Sequence, residues 1–224
     1  KDKVAIVSLS RGLLGMPFCK HELDIGLKRL EEYGLIPVIM NNSLKDMDYL
    51  QEHPEDRAAD LKQAFMDKEI KGIICAIGGD DTYKTFKYLM EDEEFKDAVR
   101  NNPKIFTGFS DTTNNHLMLN KLGLSTFYGP CLLVDLAELD KEMLPYTKKY
   151  FEMFMGDGNP FEITSSEYWY SDRESYGPEM TGVPRMEHRE EHGYEVLNGC
   201  GIRIGSIYGG CIESIYDALT GFTY

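Results

Sequence analysis

Residues 104–112 read Lys-Ile-Phe-Thr-Gly-Phe-Ser-Asp-Thr, an apolar run that ends at a glycine and then presents a serine beside an acidic residue. A serine at the turn between a buried strand and a helix holds its hydroxyl at the sheet edge. The next backbone N–H, that of Asp111, then points at a developing oxyanion. The pattern predicts Ser110 as the nucleophile of an acyl-transfer reaction. The hydrolase elbow would carry a second glycine at position 112, where this chain has Thr112, and a serine in this place also serves as a plain helix cap. A second apolar run, Ile73–Ile77, closes on Gly78-Gly79. A glycine pair lets the backbone approach a ligand closely, and its N–H groups could complete an oxyanion hole; a simple tight turn has the same composition.

A serine nucleophile needs a base, normally a histidine oriented by a carboxylate. The histidines here fit that role badly. His116 follows Ser110 on the same expected helix, about 9 Å further along the axis and rotated away from it. His21, His53, His188 and His192 lie in polar segments and read as solvated side chains. Trp169, the single tryptophan, lies in Glu-Tyr-Trp-Tyr-Ser-Asp (residues 167–172), a polar loop that gathers three aromatics. Such a ring is either a stacking surface for a ligand or an anchor of the loop on the core. Gly78–Thr82, Gly-Gly-Asp-Asp-Thr, also looks like the phosphate loops of phosphofructokinases and of lipid or nicotinamide-dinucleotide kinases, which leaves a phosphotransferase as an alternative, beside a degenerate binding protein that keeps the pocket without catalysis. Asp81 stands against it, since such loops usually carry glycine there to admit phosphate.

The elements that must position these residues alternate. Short apolar runs at Val4–Ser8, Ile36–Met40, Gly72–Ile77, Lys104–Gly108 and Ser125–Tyr128 read as strands. Amphipathic stretches at about 19–33, 54–69, 81–100 and 111–122 read as helices, the pattern of a parallel sheet with crossover helices. Leu23, Leu27 and Leu30 keep helical spacing up to Gly34, and Pro54 opens the second helix. A further helix at about 141–155 ends in Gly156-Asp157-Gly158-Asn159-Pro160, which marks a domain boundary. This gives an N-terminal α/β domain over 1–156 and a smaller C-terminal domain over 157–224. In the latter, Phe161–Thr164, Val183–Met186, Tyr194–Leu197 and Gly201–Tyr208 read as short strands and 212–219 as a helix. That helix has no following strand to serve, so the C-terminal domain reads as truncated.

With 38 acidic against 24 basic residues, the formal net charge of −14 disfavours phosphate backbones and anionic lipid, so neither nucleic acid nor membrane is an expected partner. A hydrophobic fraction of 42% supports a folded core. No apolar run is long enough to span a bilayer or serve as a signal-peptide core, and the chain reads as cytoplasmic. Cys19, Cys75, Cys131, Cys200 and Cys211 are odd in number and widely spaced, which argues against a disulfide framework or a zinc site. No metal and no cofactor are expected, and a homodimer is the candidate assembly.

Taken together, Ala76-Ile77-Gly78-Gly79, the stretch Lys104–Ser125 with Gly108-Phe109-Ser110-Asp111, Tyr128-Gly129-Pro130, and Gly205-Ser206-Ile207-Tyr208-Gly209-Gly210-Cys211 resemble the serine peptidase family of LD-carboxypeptidases and microcin C immunity proteins, in order and spacing over essentially the whole chain. The resemblance implies a flavodoxin-like or class I amidotransferase-like N-terminal domain that carries the nucleophile. It implies also a smaller C-terminal domain with the glutamate and histidine of a Ser-Glu-His triad. Ser110 matches the nucleophile. Asp111 and Gly79 match the oxyanion-hole N–H groups, and Gly78 and Trp169 fall in the substrate-binding parts. The family's glutamate and histidine lie beyond the Gly-Gly-Cys segment, past Tyr224, and neither Glu213 nor His188 matches their positions. The expected substrate is a small peptide or peptidyl-nucleotide, either a murein tetrapeptide or a microcin-type aminoacyl-nucleotide. The tryptophan loop tilts the expectation toward the latter.

Overall fold

The computed structural model describes residues 1–220. They form two units, one made of Lys1–Glu138 with the residues from Gly209 onward, the other of Leu139–Tyr208. The division differs from the expected boundary at 156/157 on both sides. The helix at 145–152 belongs with the second unit, and the segment from Gly209 returns to the first, where the Cys211 N–H donates to Thr113 Oγ1 at 2.9 Å.

The first unit is an α/β sheet domain. Strands β1 (Lys3–Val7), β2 (Ile36–Ile39), β3 (Ile70–Cys75), β4 (Ile105–Gly108) and β5 (Phe127–Tyr128) run parallel in the order β2-β1-β3-β4-β5, the flavodoxin-like order. β1 and β3 are almost wholly apolar because both faces are covered, and Ala5, Val7, Ile73, Cys75 and Phe106 are buried against Leu61, Phe65, Phe95 and Leu119 of the helices. Each such aliphatic or phenyl side chain contributes roughly 1.5–3 kcal/mol when removed from water. The helices are α1 (Lys20–Glu32), α2 (Met47–Glu52), α3 (Pro54–Met66), α4 (Phe86–Leu89), α5 (Glu93–Asn101) and α6 (Thr113–Lys121). The stretch expected as one helix over 81–100 is broken. A 3-10 turn at Thr82–Thr85 precedes α4, and α5 starts afresh because the Asp92 carboxylate accepts the Phe95 N–H at 3.0 Å. Asp46 caps the unexpected α2 in the same way, through the Tyr49 N–H.

The second unit holds α7 (Pro145–Glu152) and one antiparallel pair, β6 (Tyr168–Tyr170) with β7 (Glu187–Arg189). Trp169 is therefore on a strand, directly opposite His188, and not in an irregular loop. None of the four short strands expected in this region forms: Phe161–Thr164, Val183–Met186, Tyr194–Leu197 and Gly201–Tyr208 have no ladder partner among the described residues. Their apolar side chains stay outside, Ile202, Ile204 and Ile207 almost fully so. A strand needs a neighbouring edge to satisfy its N–H and C=O groups, and local alternation does not supply one. After this unit the chain enters α8 (Ile212–Thr220). The five cysteines are free thiols. No helix among the described residues is long and apolar enough to cross a membrane.

Candidate active site

In open parallel sheets, ligands gather outside the carboxyl ends of the strands. Neighbouring strands β3 and β4, paired through Ile74 and Thr107, bring two such ends side by side. From β4 the chain passes through Phe109 into a 3-10 turn at Ser110–Thr112 and then α6. Ser110 sits in that turn at φ 60°, the one non-glycine residue at positive φ among those described. For a residue with a Cβ this costs about 1–2 kcal/mol, and such positions persist where the surroundings over-determine them.

The Gly78-Gly79 turn after β3 lies directly against Ser110. A Cβ added to Gly78 would stand 2.8 Å from the Ser110 Cβ and 3.2 Å from its Oγ, and one added to Gly79 would stand 2.2 Å from Ser10 Oγ. Both positions must be glycine for the turn to pass this close. The structure thus brings Ser110, Gly78, Gly79 and Asp111 together in one unit. Trp169 lies in the other unit, half exposed, with one ring face stacked on His188 at 4.0 Å and 16°. His188 also meets Ser171 Oγ through Nε2 at 2.7 Å, so it is a packed ring and not the solvated side chain expected.

Asp81 of the Gly-Gly-Asp-Asp-Thr loop is taken up by an ion pair inside the fold. Asp81 turns onto the fully buried Arg57 of α3, with Nη1 to Oδ1 at 2.7 Å and Nη2 to Oδ2 at 3.3 Å, and Lys84 adds a second cation at 3.2 Å. The same guanidinium donates to the carbonyls of Leu9 and Ser10 after β1. It therefore occupies the gap between β1 and β3, where a sheet of this order usually takes its ligand. Burial alone would push the Asp81 carboxyl up, but the bonds and charge of Arg57, with help from Lys84 and Ser10, hold it below the usual carboxylate range. Ser10 Oγ accepts the N–H groups of Asp80 and Asp81 and donates to Asp81 Oδ1, which fixes the turn from beneath. Asp80 is exposed and pairs with Arg11.

Asp111 works in the opposite sense. Its carboxylate is buried, accepts the Thr82 N–H at 2.8 Å and Asn114 Nδ2 at 3.2 Å, and so ties the β3 loop to the start of α6. Burial raises its carboxyl above the ordinary value despite these bonds.

His116 is neither base nor solvated. Its Nε2 meets the Gly108 carbonyl at 2.9 Å and its Nδ1 meets Thr126 Oγ1 at 2.8 Å, so both ring nitrogens are engaged beneath the elbow. Burial pushes its imidazole below the usual range, which keeps the ring neutral and able to bridge β4 to the segment before β5. The sequence reading missed Ser10, Arg57, Thr113 and Tyr128. Ser10 and Tyr128 stand at or just past the carboxyl ends of β1 and β5, a position that could have flagged them; Arg57 carried no local signal.

Residues 4–129 match the family model described as the LD-carboxypeptidase N-terminal domain. The chain is 38% identical over 136 residues to the probable murein peptide carboxypeptidase of Bacillus subtilis (strain 168), an alignment covering 59% of this chain and 40% of that protein. It is 35% identical over 85 residues to the microcin C7 self-immunity protein MccF of Escherichia coli, covering 38% of this chain and 23% of that protein. Among solved structures, an MccF-like protein from Streptococcus pneumoniae in complex with AMP superposes with a TM-score of 0.93 at 47% identity, covering 100% of this chain and 64% of that one. The chain thus spans about half the length, or less, of these curated relatives.

Proposed function

This chain belongs to the LD-carboxypeptidase family, and from that premise we propose that it supplies the nucleophile half of a serine hydrolase acting on an amide bond near the C-terminal end of a small substrate. The observation that carries the reading is Ser110 at positive φ, at the end of β4, with its side chain packed against Gly78 of the Gly78-Gly79 turn. In this reaction Ser110 Oγ attacks the amide carbonyl carbon. The developing oxyanion is held by the N–H groups of Asp111 and Gly79, the amine leaves, and water releases the acyl group. His116 is not the base, because both its nitrogens are taken inside the fold. The base and its carboxylate partner are those the family places after the Gly-Gly-Cys segment.

Two features support a peptidyl-nucleotide over a murein peptide as substrate. The pneumococcal relative was solved with AMP. In this chain the free face of the half-exposed Trp169 indole offers a stacking surface for a base. The test is turnover of both substrate types by the full-length protein that carries this chain. Ser110→Ala is expected to lower turnover by on the order of 10⁴–10⁶ with the fold intact, and residues 1–224 alone are expected to be nearly inactive. Trp169→Ala should weaken a nucleotide-bearing substrate by about 1–3 kcal/mol and leave a murein peptide largely untouched. Turnover by Ser110→Ala would remove the assignment, and equal loss on both substrates with Trp169→Ala would remove the preference between them.

A further inference from the structure

We infer that Tyr128 and Thr113 are positioning residues that hold the strained Ser110 elbow in its reactive conformation, and that the Gly210-Cys211 return acts on the nucleophile through Thr113. The inference rests on the reading of Ser110 as nucleophile.

A residue at φ 60° relaxes unless the peptide groups on both sides are fixed, and in this elbow both are. The Ser110 N–H donates to Tyr128 Oη at 2.9 Å, and the Ser110 carbonyl accepts the Thr113 hydroxyl at 2.6 Å. Each partner is itself held. Tyr128 lies on β5, opposite Gly108 of β4, and its ring packs 5.6 Å from the His116 imidazole, which in turn is bonded to the Gly108 carbonyl. One end of the elbow therefore rests on a closed chain of contacts running from Gly108 through His116 and Tyr128 back to Ser110.

Thr113 has one hydroxyl hydrogen and two lone pairs. The hydrogen goes to the Ser110 carbonyl, and a lone pair receives the Cys211 N–H at 2.9 Å. That second bond limits rotation of the hydroxyl and keeps its hydrogen on Ser110. The approach is close enough that a Cβ on Gly210 would stand 2.5 Å from Thr113 Oγ1. The Gly-Gly-Cys segment, distant in sequence from the nucleophile, thereby reaches the carbonyl of Ser110 through one side-chain oxygen. Because the Ser110 N–H is already taken by Tyr128, the oxyanion donor at this turn is left to the following residue, Asp111.

The experiment is the rate at which a fluorophosphonate probe labels Ser110 in the full-length protein, read by peptide mass spectrometry, together with kcat, KM and the melting temperature. Tyr128→Phe removes the acceptor but keeps the ring on His116, and Thr113→Val removes the hydroxyl at nearly constant shape. Each is expected to slow labelling and lower kcat by about tenfold or more, with KM within about twofold, since small misplacements of a reacting group act on the chemical step. Thr113→Ser should recover most of the loss, and Gly210→Ala should reproduce the Thr113→Val phenotype. Labelling and kcat within twofold of the parent in both Tyr128→Phe and Thr113→Val would overturn the inference, as would a Thr113→Ser variant as slow as Thr113→Val. A parent protein that the probe leaves unlabelled at Ser110 would overturn the nucleophile reading and this inference with it; a labelled parent with unaffected variants would overturn the positioning role alone.

Discussion

After β3 the chain turns around a buried ion pair, and after β4, one strand over, it turns through a strained serine. At the first end the charges are compensated: Asp81 is largely out of water, but Arg57 meets it with two N–H groups and Ser10 and Lys84 add further contacts, while the buried Arg57 Nε finds no acceptor. At the second end an unfavourable term is retained, since Ser110 keeps a left-handed backbone that Gly would adopt more readily. The Thr82 to Asp111 hydrogen bond joins the two. The difference separates two jobs that the carboxyl edge of one sheet must do. The β3 end supplies a wall, and on the proposed reading the β4 end places the nucleophile against it. Stability should therefore depend on the first far more than on the second, and turnover on the second.

The sharpest way to break that comparison is Arg57→Met. It leaves Asp81 with only the partly exposed Lys84 as a cation, and removing one member of a buried pair typically costs about 3–5 kcal/mol. A loss of that size is expected in urea unfolding, with the slope unchanged, whereas Ser110→Ala should leave the midpoint close to the parent's. A loss under about 1 kcal/mol for Arg57→Met would mean that the wall does not depend on the pair.

Most of this wall was hidden in the sequence for a physical reason. The five strands and the first helix are written locally, in continuous apolar runs and in the spacing of residues such as Leu23, Leu27 and Leu30, so their succession along the chain could be read directly, whereas α2 and the break between Thr82 and Glu93 could not. The position of Ser110 at the turn after β4 could be read too, because strand, glycine, serine and helix follow one another. Arg57 could not: it sits among charged residues of α3 that look like a solvated face, and its partners come from the ends of β1 and β3. The bridging place of His116 was hidden for the same reason, since burial between β4 and β5 is a property of the fold and not of its neighbours in sequence. In the second unit the error ran the other way. Gly201–Tyr208 alternates like a strand, yet alternation does not create the partner edge that a strand requires.

Acid titration sharpens the comparison further, because the two carboxylates should move stability in opposite directions. Asp81 lies below its ordinary 3.8 in the folded protein, so its contribution is present above that value and is lost as the pH falls through the lowered one. Asp111 lies above 3.8, chiefly through burial, so its contribution is present below that value and is lost as the pH rises through the raised one. The stability cost of Asp81→Asn relative to the parent should therefore shrink on acidification below 3.8, and the cost of Asp111→Asn should grow as the pH falls toward it. Urea midpoints of the two variants and the parent across this range would show the two trends; trends of the same sign would mean that one of the two environments has been misassigned.

The smallest effect is the most direct measure of what the β4 end gives up. Replacing Ser110 by Gly frees the backbone of a left-handed conformation worth about 1–2 kcal/mol while adding unfolded-chain freedom worth roughly 0.5–1 kcal/mol. The net is a stabilisation of at most about 1.5 kcal/mol, equivalent to a rise of at most about 3–6 °C in melting temperature for a chain of this size. Ser110→Ala keeps the Cβ and the strain and should show no such rise, so the pair isolates backbone relief from loss of the hydroxyl. The same Gly substitution at a position with ordinary negative φ, such as Phe109 just before the elbow, should only destabilise. A melting temperature for Ser110→Gly at or below that of Ser110→Ala would show that the contacts to Tyr128 and Thr113 hold the turn without strain, and the contrast between the two strand ends would then reduce to charge alone.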